Sequence, residues 1–96
     1  MTIERKNKSW LMAVGEIDHC VLCHSNHMLQ VAHRNYGRGK SQKSPDYQTA
    51  RLCQECHHAI DNGHKLEKME RRWLMDKAIV ETYSILLNDG KLLLNE

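Results

Sequence analysis

Cys53-Gln54-Glu55-Cys56-His57-His58-Ala59-Ile60-Asp61 is the stretch on which the fold turns. A two-residue gap between cysteines lets one tight turn offer both sulfurs to the same ion. A histidine follows at once, and Asp61 lies four residues beyond His57. At about 100° per residue these two share a helix face, where one nitrogen and one oxygen can chelate a divalent cation. His64, seven residues after His57, falls on that face if the helix survives Gly63, whereas His58 points away.

Upstream, Cys20 and Cys23 repeat the spacing, with 29 residues between the two knuckles. Zinc takes four such sulfurs in a tetrahedron, and a closed four-sulfur site holds structure without catalysing. A redox dithiol normally comes once, in a βαβ context that is absent here. Disulfides need an oxidising compartment. The polar run Met1 to Ser9 and the short apolar run Trp10 to Val14 do not make a secretory signal. No segment approaches the ~18 apolar residues of a membrane span. The chain therefore reads as cytoplasmic, with Cys20, Cys23, Cys53 and Cys56 as reduced ligands of a structural zinc ion. The 96 residues make one domain with three tyrosines, two tryptophans and no phenylalanine. So thin an aromatic supply makes a metal staple a natural expectation.

The net charge of +2 excludes little. Its distribution is more informative. From His33 to Arg51, the cations Arg34, Arg38, Lys40, Lys43 and Arg51 face Asp46 alone, a local +4. Residues 1–8 read as a flexible basic arm and 9–96 as the zinc-stabilised domain. Ser9 is positioned to cap a short helix over Trp10 to Val14, ended by Gly15. Met28 to His33 alternates as a strand. Tyr36 to Pro45, with two glycines and a proline, is a loop, and Tyr47 to Leu52 returns as a second strand. A helix is expected from Cys56 or His57 to Asn62-Gly63. A longer amphipathic one runs from about Lys65 to Leu87, with Leu66, Met69, Trp73, Val80, Tyr83 and Leu87 as its stripe and Ile79 and Leu86 widening it. Glu67 and Arg71 are spaced to pair on its outer face. Asn88-Asp89-Gly90 is a turn, and Lys91 to Leu94 a short terminal strand.

The order Cys20-Val-Leu-Cys23, Val31-Ala-His-Arg34, Gly37-Arg-Gly-Lys40, Pro45-Asp46 and Leu52-Cys-Gln-Glu-Cys-His-His-Ala-Ile-Asp61 resembles the HNH endonucleases. More narrowly it is similar to the small nucleases of lambdoid phages and prophages, the YbcO-like proteins. The resemblance covers Cys20 to His64 and, loosely, the C-terminal helix. It implies an α+β fold: a ββα-metal (HNH/treble-clef-like) finger with a four-cysteine pair of zinc knuckles and a long C-terminal amphipathic helix.

It also implies His33 as general base and His57 as a ligand of a catalytic Mg2+, Mn2+, Ni2+ or Zn2+ ion. Asp61 stands where many relatives place another metal-binding histidine, and His64 or water completes the set. Ala32 stands where many HNH enzymes have a metal-binding aspartate or histidine. Gln48 or Asp46 lies nearest the place of the asparagine that orients the base.

A neutral imidazole can take a proton from water at physiological pH. Arg34, Arg38, Lys40, Lys43 and Arg51 are suited to backbone phosphates, which implies little sequence preference and steep salt dependence. The expected activity is metal-dependent hydrolysis of phosphodiester bonds in DNA, structured or branched DNA included. The enzyme would act in a bacterial host cytoplasm, phage or prophage encoded, without membrane association, with a homodimer as one possible state. The same residues leave open a non-catalytic zinc-knuckle module that binds nucleic acid or serves as an adaptor.

Overall fold

The computed structural model describes residues 5–35, 44–62 and 66–92. In chain order these form α1 (Lys8–Gly15), β1 (Leu29–His33), β2 (Thr49–Cys53), α2 (Gln54–Asn62) and α3 (Lys68–Asn88). The two strands pair antiparallel, with Leu29 opposite Cys53 and His33 opposite Thr49. Side chains alternate across a strand, so the hairpin has two unlike faces. Ala32, Ala50 and Leu52 pack with Ile60 of α2 and with Met75, Ala78 and Ile79 of α3. On the opposite side Val31 joins Val14 and Ile17 around Leu86. The described part is thus an α+β fold of one two-stranded sheet and three helices, as the alternating strands and helical run imply.

Local chemistry explains where the elements differ from expectation. The cap of α1 is Asn7, whose side-chain oxygen accepts from the Trp10 amide at 3.0 Å, and not Ser9. Asn7 reaches that position because its own N–H donates to Asp46 Oδ2 at 2.7 Å. The Asp46 N–H in turn donates to the Arg5 carbonyl at 2.7 Å. Of the expected arm, residues 1–4 lie outside the described residues, while Arg5 and Asn7 are tied to the body and Lys8 opens a helix. Helix α2 starts two residues sooner than expected, directly from β2. Cys53 Sγ accepts the Cys56 amide at 3.5 Å and so acts as the helix cap, a role usually taken by an oxygen.

The buried face of α3 overlaps the expected stripe only in part. Ile79 and Leu86 are buried and Tyr83 packs against the core as expected, together with Met75, Ala78 and Thr82, whereas Met69, Trp73, Val80 and Leu87 are exposed. The sheet presents Ala32 and Ala50, both fully buried, and the small Ala78 and Thr82 let the helix backbone come close. Thr82 is satisfied there: its hydroxyl donates to the Ala78 carbonyl (2.8 Å) and accepts the Arg51 amide (3.3 Å). Arg71 donates to the Asp61 carbonyl at 3.3 Å, tying α3 to α2.

Gly90 ends α3 in the left-handed region at φ +73. Its N–H donates to the Leu87 carbonyl and that of Lys91 to the Leu86 carbonyl, the paired bonds of a Schellman cap. Lys91 and Leu92 accordingly fold back on the helix end and are not strand; Leu93 and Leu94 lie outside the described residues. Among the described residues no helix is long and apolar enough to cross a membrane.

Candidate metal centres and the clefts around α2

The two knuckles meet. The sulfurs of Cys20, Cys23, Cys53 and Cys56 all lie within 4.8 Å of one another, and none is disulfide-bonded. Bonds of about 2.3 Å to a tetrahedral zinc place sulfurs about 3.8 Å apart, and Cys23 and Cys53 stand at 3.6 Å. The donor set fits zinc. Its protonation chemistry calls for a cation. Burial opposes ionisation of Cys20, but amides of Cys23, Cys53 and Leu22 outweigh it and bring its pKa down to about 7. Burial, followed by the neighbouring sulfurs, pushes Cys56 up. The Cys23 thiol is raised as well; a backbone bond from Ser25 favours its thiolate, yet burial and the sulfurs of Cys53 and Cys20 prevail. Four thiolates so close cannot share the space without a positive ion.

Because the second knuckle runs straight into α2, the staple also fixes the helix that bears His57 and Asp61. His57 Nε2 lies 3.0 Å from Asp61 Oδ2, so the two do share a helix face. His57 Nδ1–H donates to Gln30 Oε1 at 2.6 Å. The other carboxylate oxygen, Asp61 Oδ1, accepts from Asn35 Nδ2 at 2.7 Å. The result is a chain of four side chains, Gln30–His57–Asp61–Asn35, drawn from β1, α2 and the segment after β1. An imidazole that donates from Nδ1 presents a lone pair at Nε2. Here Nε2 faces a carboxylate oxygen, a contact that either a proton or a metal ion on that nitrogen satisfies. Donors held at right angles about 2.1 Å from an octahedral ion are themselves about 3.0 Å apart, which this pair matches. Gln30, Gln54, His57, His58 and Asp61 line an open cleft of about 190 Å³ there.

His33 does not join that set. Its ring Nε2–H donates to Asp46 Oδ1 at 2.9 Å, with the His33 side chain 39% exposed. Alternation along β1 turns His33 away from the side on which Gln30 and Ala32 meet α2. Among the described residues the four cysteines are the one group of three or more such side chains close enough to hold an ion together. Ala32, fully buried, offers no ligand. The Asp46 carboxyl sits below the ordinary carboxylate range because His33, and then the Asn7 amide, bond to it. Of the two residues nearest the place of the orienting group, Asp46 makes the contact.

The expected phosphate contacts divide. Arg38, Lys40, Lys43 and His64 lie outside the described residues. Arg34 pairs with Asp76 of α3 at 3.2 Å. Arg51 turns to the protein instead: its Nε donates to the Ile17 carbonyl at 2.9 Å, and burial lowers its pKa. On an inward strand position its guanidinium serves the packing of α1. Sequence reasoning missed Gln30 and Asn35, which carry no spacing signal because they approach α2 from across the sheet. No family model, curated protein or solved structure matches the chain.

Proposed function

We propose that the chain is a divalent-metal-dependent endonuclease of the HNH type, hydrolysing phosphodiester bonds in DNA on a scaffold stapled by structural zinc. The observation that carries this reading is the His57 ring, held by Gln30 so that its free nitrogen faces Asp61 at 3.0 Å. A histidine oriented by a second group is how proteins prepare a metal ligand. Bound there, a divalent ion would polarise a phosphoryl oxygen and neutralise charge on the leaving oxygen.

The chain's own groups supply the rest. Asp46 takes the Nε2 proton of His33 in a hydrogen bond, which leaves Nδ1 as the basic nitrogen of a half-exposed ring. That nitrogen can accept a proton from an attacking water. Asn35, two residues beyond His33, reaches Asp61, so a single short segment ties the base to the metal pair.

One observation favours a second reading. With Ala32 buried and side-chain ligands from only two residues at hand among the described residues, a zinc-stabilised nucleic-acid-binding module without catalysis is the alternative. Plasmid nicking with Mg2+, Mn2+, Ni2+ or Zn2+ separates the two. The nuclease reading expects nicking with at least one ion and its loss in both His33→Ala and His57→Ala. Intact plasmid with every ion, from zinc-loaded protein that still binds DNA, overturns it.

A further inference from the structure

A second cleft, of about 180 Å³, lies beside the His57–Asp61 pair and is lined by Asn35, Ile60, Lys68, Arg71 and Arg72. Three of its five residues are cations and none is an acid. Lys68, Arg71 and Arg72 fall at i, i+3 and i+4 of α3, so they share one side of its first turn. Like charges so placed raise the local positive potential, which favours an anion against this side of the helix. Arg71 Nε strengthens the case: it is buried and has no hydrogen-bond partner among the described residues. An orphaned guanidinium N–H is costly. The other arm of that guanidinium is spent on the Asp61 backbone carbonyl, not on a carboxylate.

The start of α3 adds to this field. Its cap residue, Glu67, makes no side-chain capping bond, which leaves backbone N–H groups of the first turn without a side-chain cap. Neighbouring Glu67 and Glu70 are exposed and do not line the cleft. Asn35 links the two clefts, since it lines this one and donates to Asp61. Ile60 lines it one residue before Asp61.

We infer that this cleft is a phosphodiester subsite, which seats a backbone phosphate of the nucleic-acid strand next to the phosphate held at His57 and Asp61. The inference rests on the nuclease reading for the identity of its ligand. It assigns Lys68, Arg71 and Arg72 to strand binding, and it sets the path of the strand along the junction of α2 and α3. Arg71 approaches from beside Asp61, so it also holds the register between the subsite and the metal pair.

The test is binding of a short fluorescent single strand to zinc-loaded protein, without added divalent ion, over a range of salt. Arg71→Gln/Arg72→Gln is expected to weaken binding about tenfold and to reduce the salt slope by about 1.4, from two lost phosphate contacts. Arg71 also braces α2, so Lys68→Gln/Arg72→Gln, which leaves that brace intact, is expected to shift affinity and slope in the same direction. Thermal melts and zinc content identify any variant that has simply unfolded. Unchanged affinity and slope in both folded double variants overturn the subsite. So does displacement of the strand by inorganic phosphate far below the chloride concentration of equal ionic strength, which marks a site for free anions. If wild type nicks no plasmid yet both double variants lose affinity, the hydrolytic reading fails and the subsite stands.

Discussion

His57 has an oxygen at each ring nitrogen, Gln30 Oε1 at 2.6 Å and Asp61 Oδ2 at 3.0 Å. Such a ring is content only with a proton or a metal ion on its second nitrogen. Replacing Gln30 by Ala removes the group that fixes the tautomer, and a loss of about 10-fold or more in metal affinity is expected, read by titration calorimetry. For His33 the expected effect is on rate. His33→Ala should lower nicking by about 100-fold or more, the usual worth of a general base, with ion binding unchanged. The knuckle thiols carry a pH signature. Cys20 ionises at about 7 while Cys23 and Cys56 lie above the ordinary thiol range. Thiols above neutrality must give up protons to bind zinc, so binding near pH 7 should release roughly three protons and tighten as pH rises. Calorimetry in buffers of different ionisation enthalpy measures that release. At this scale the sequence was informative where ligands are neighbours in the chain. The cysteines, His57 and Asp61 announce themselves by spacing. Gln30, Asn35 and Asp46 do not, because an amide or carboxylate that arrives from another element leaves no period to read.

At the scale of elements, the hairpin and α2 were legible because alternation and the knuckle dictate them. The face of α3 was legible only in part, at Ile79, Tyr83 and Leu86. Large apolar residues at three- and four-residue steps normally mark a core stripe, yet a sheet faced with Ala32 and Ala50 selects Ala78 and Thr82. Arg51 was hard to read for a related reason: a cation counted in a basic run is, in the fold, a donor to the Ile17 carbonyl. Arg51→Gln should therefore cost stability of about 1–3 kcal/mol, the worth of a buried carbonyl left without its donor. The salt slope of DNA binding should stay as in wild type. Gly90 offers a clean test of the α3 cap. A Cβ there meets nothing within 4 Å, so Gly90→Ala costs only the left-handed conformation, about 1–2 kcal/mol by thermal unfolding.

Across the whole molecule, one sulfur cluster joins the segment before β1 to the junction of β2 and α2. The larger core cluster is built around those same elements, with Cys20 and Cys53 among its buried residues. Zinc bound by these four sulfurs would therefore couple to folding. Structural zinc in small fingers contributes about 10–16 kcal/mol, more than most small domains possess in total. The nuclease reading requires a second cation, distinct from the zinc, held by His57 and Asp61. Manganese titration of zinc-loaded protein, followed by electron paramagnetic resonance with zinc content measured in parallel, shows whether that ion binds. One manganese ion per wild-type chain is predicted, lost in His57→Ala and in Asp61→Asn while the zinc remains. Wild type that takes up no manganese, or variants that bind it as wild type does, would contradict the claim.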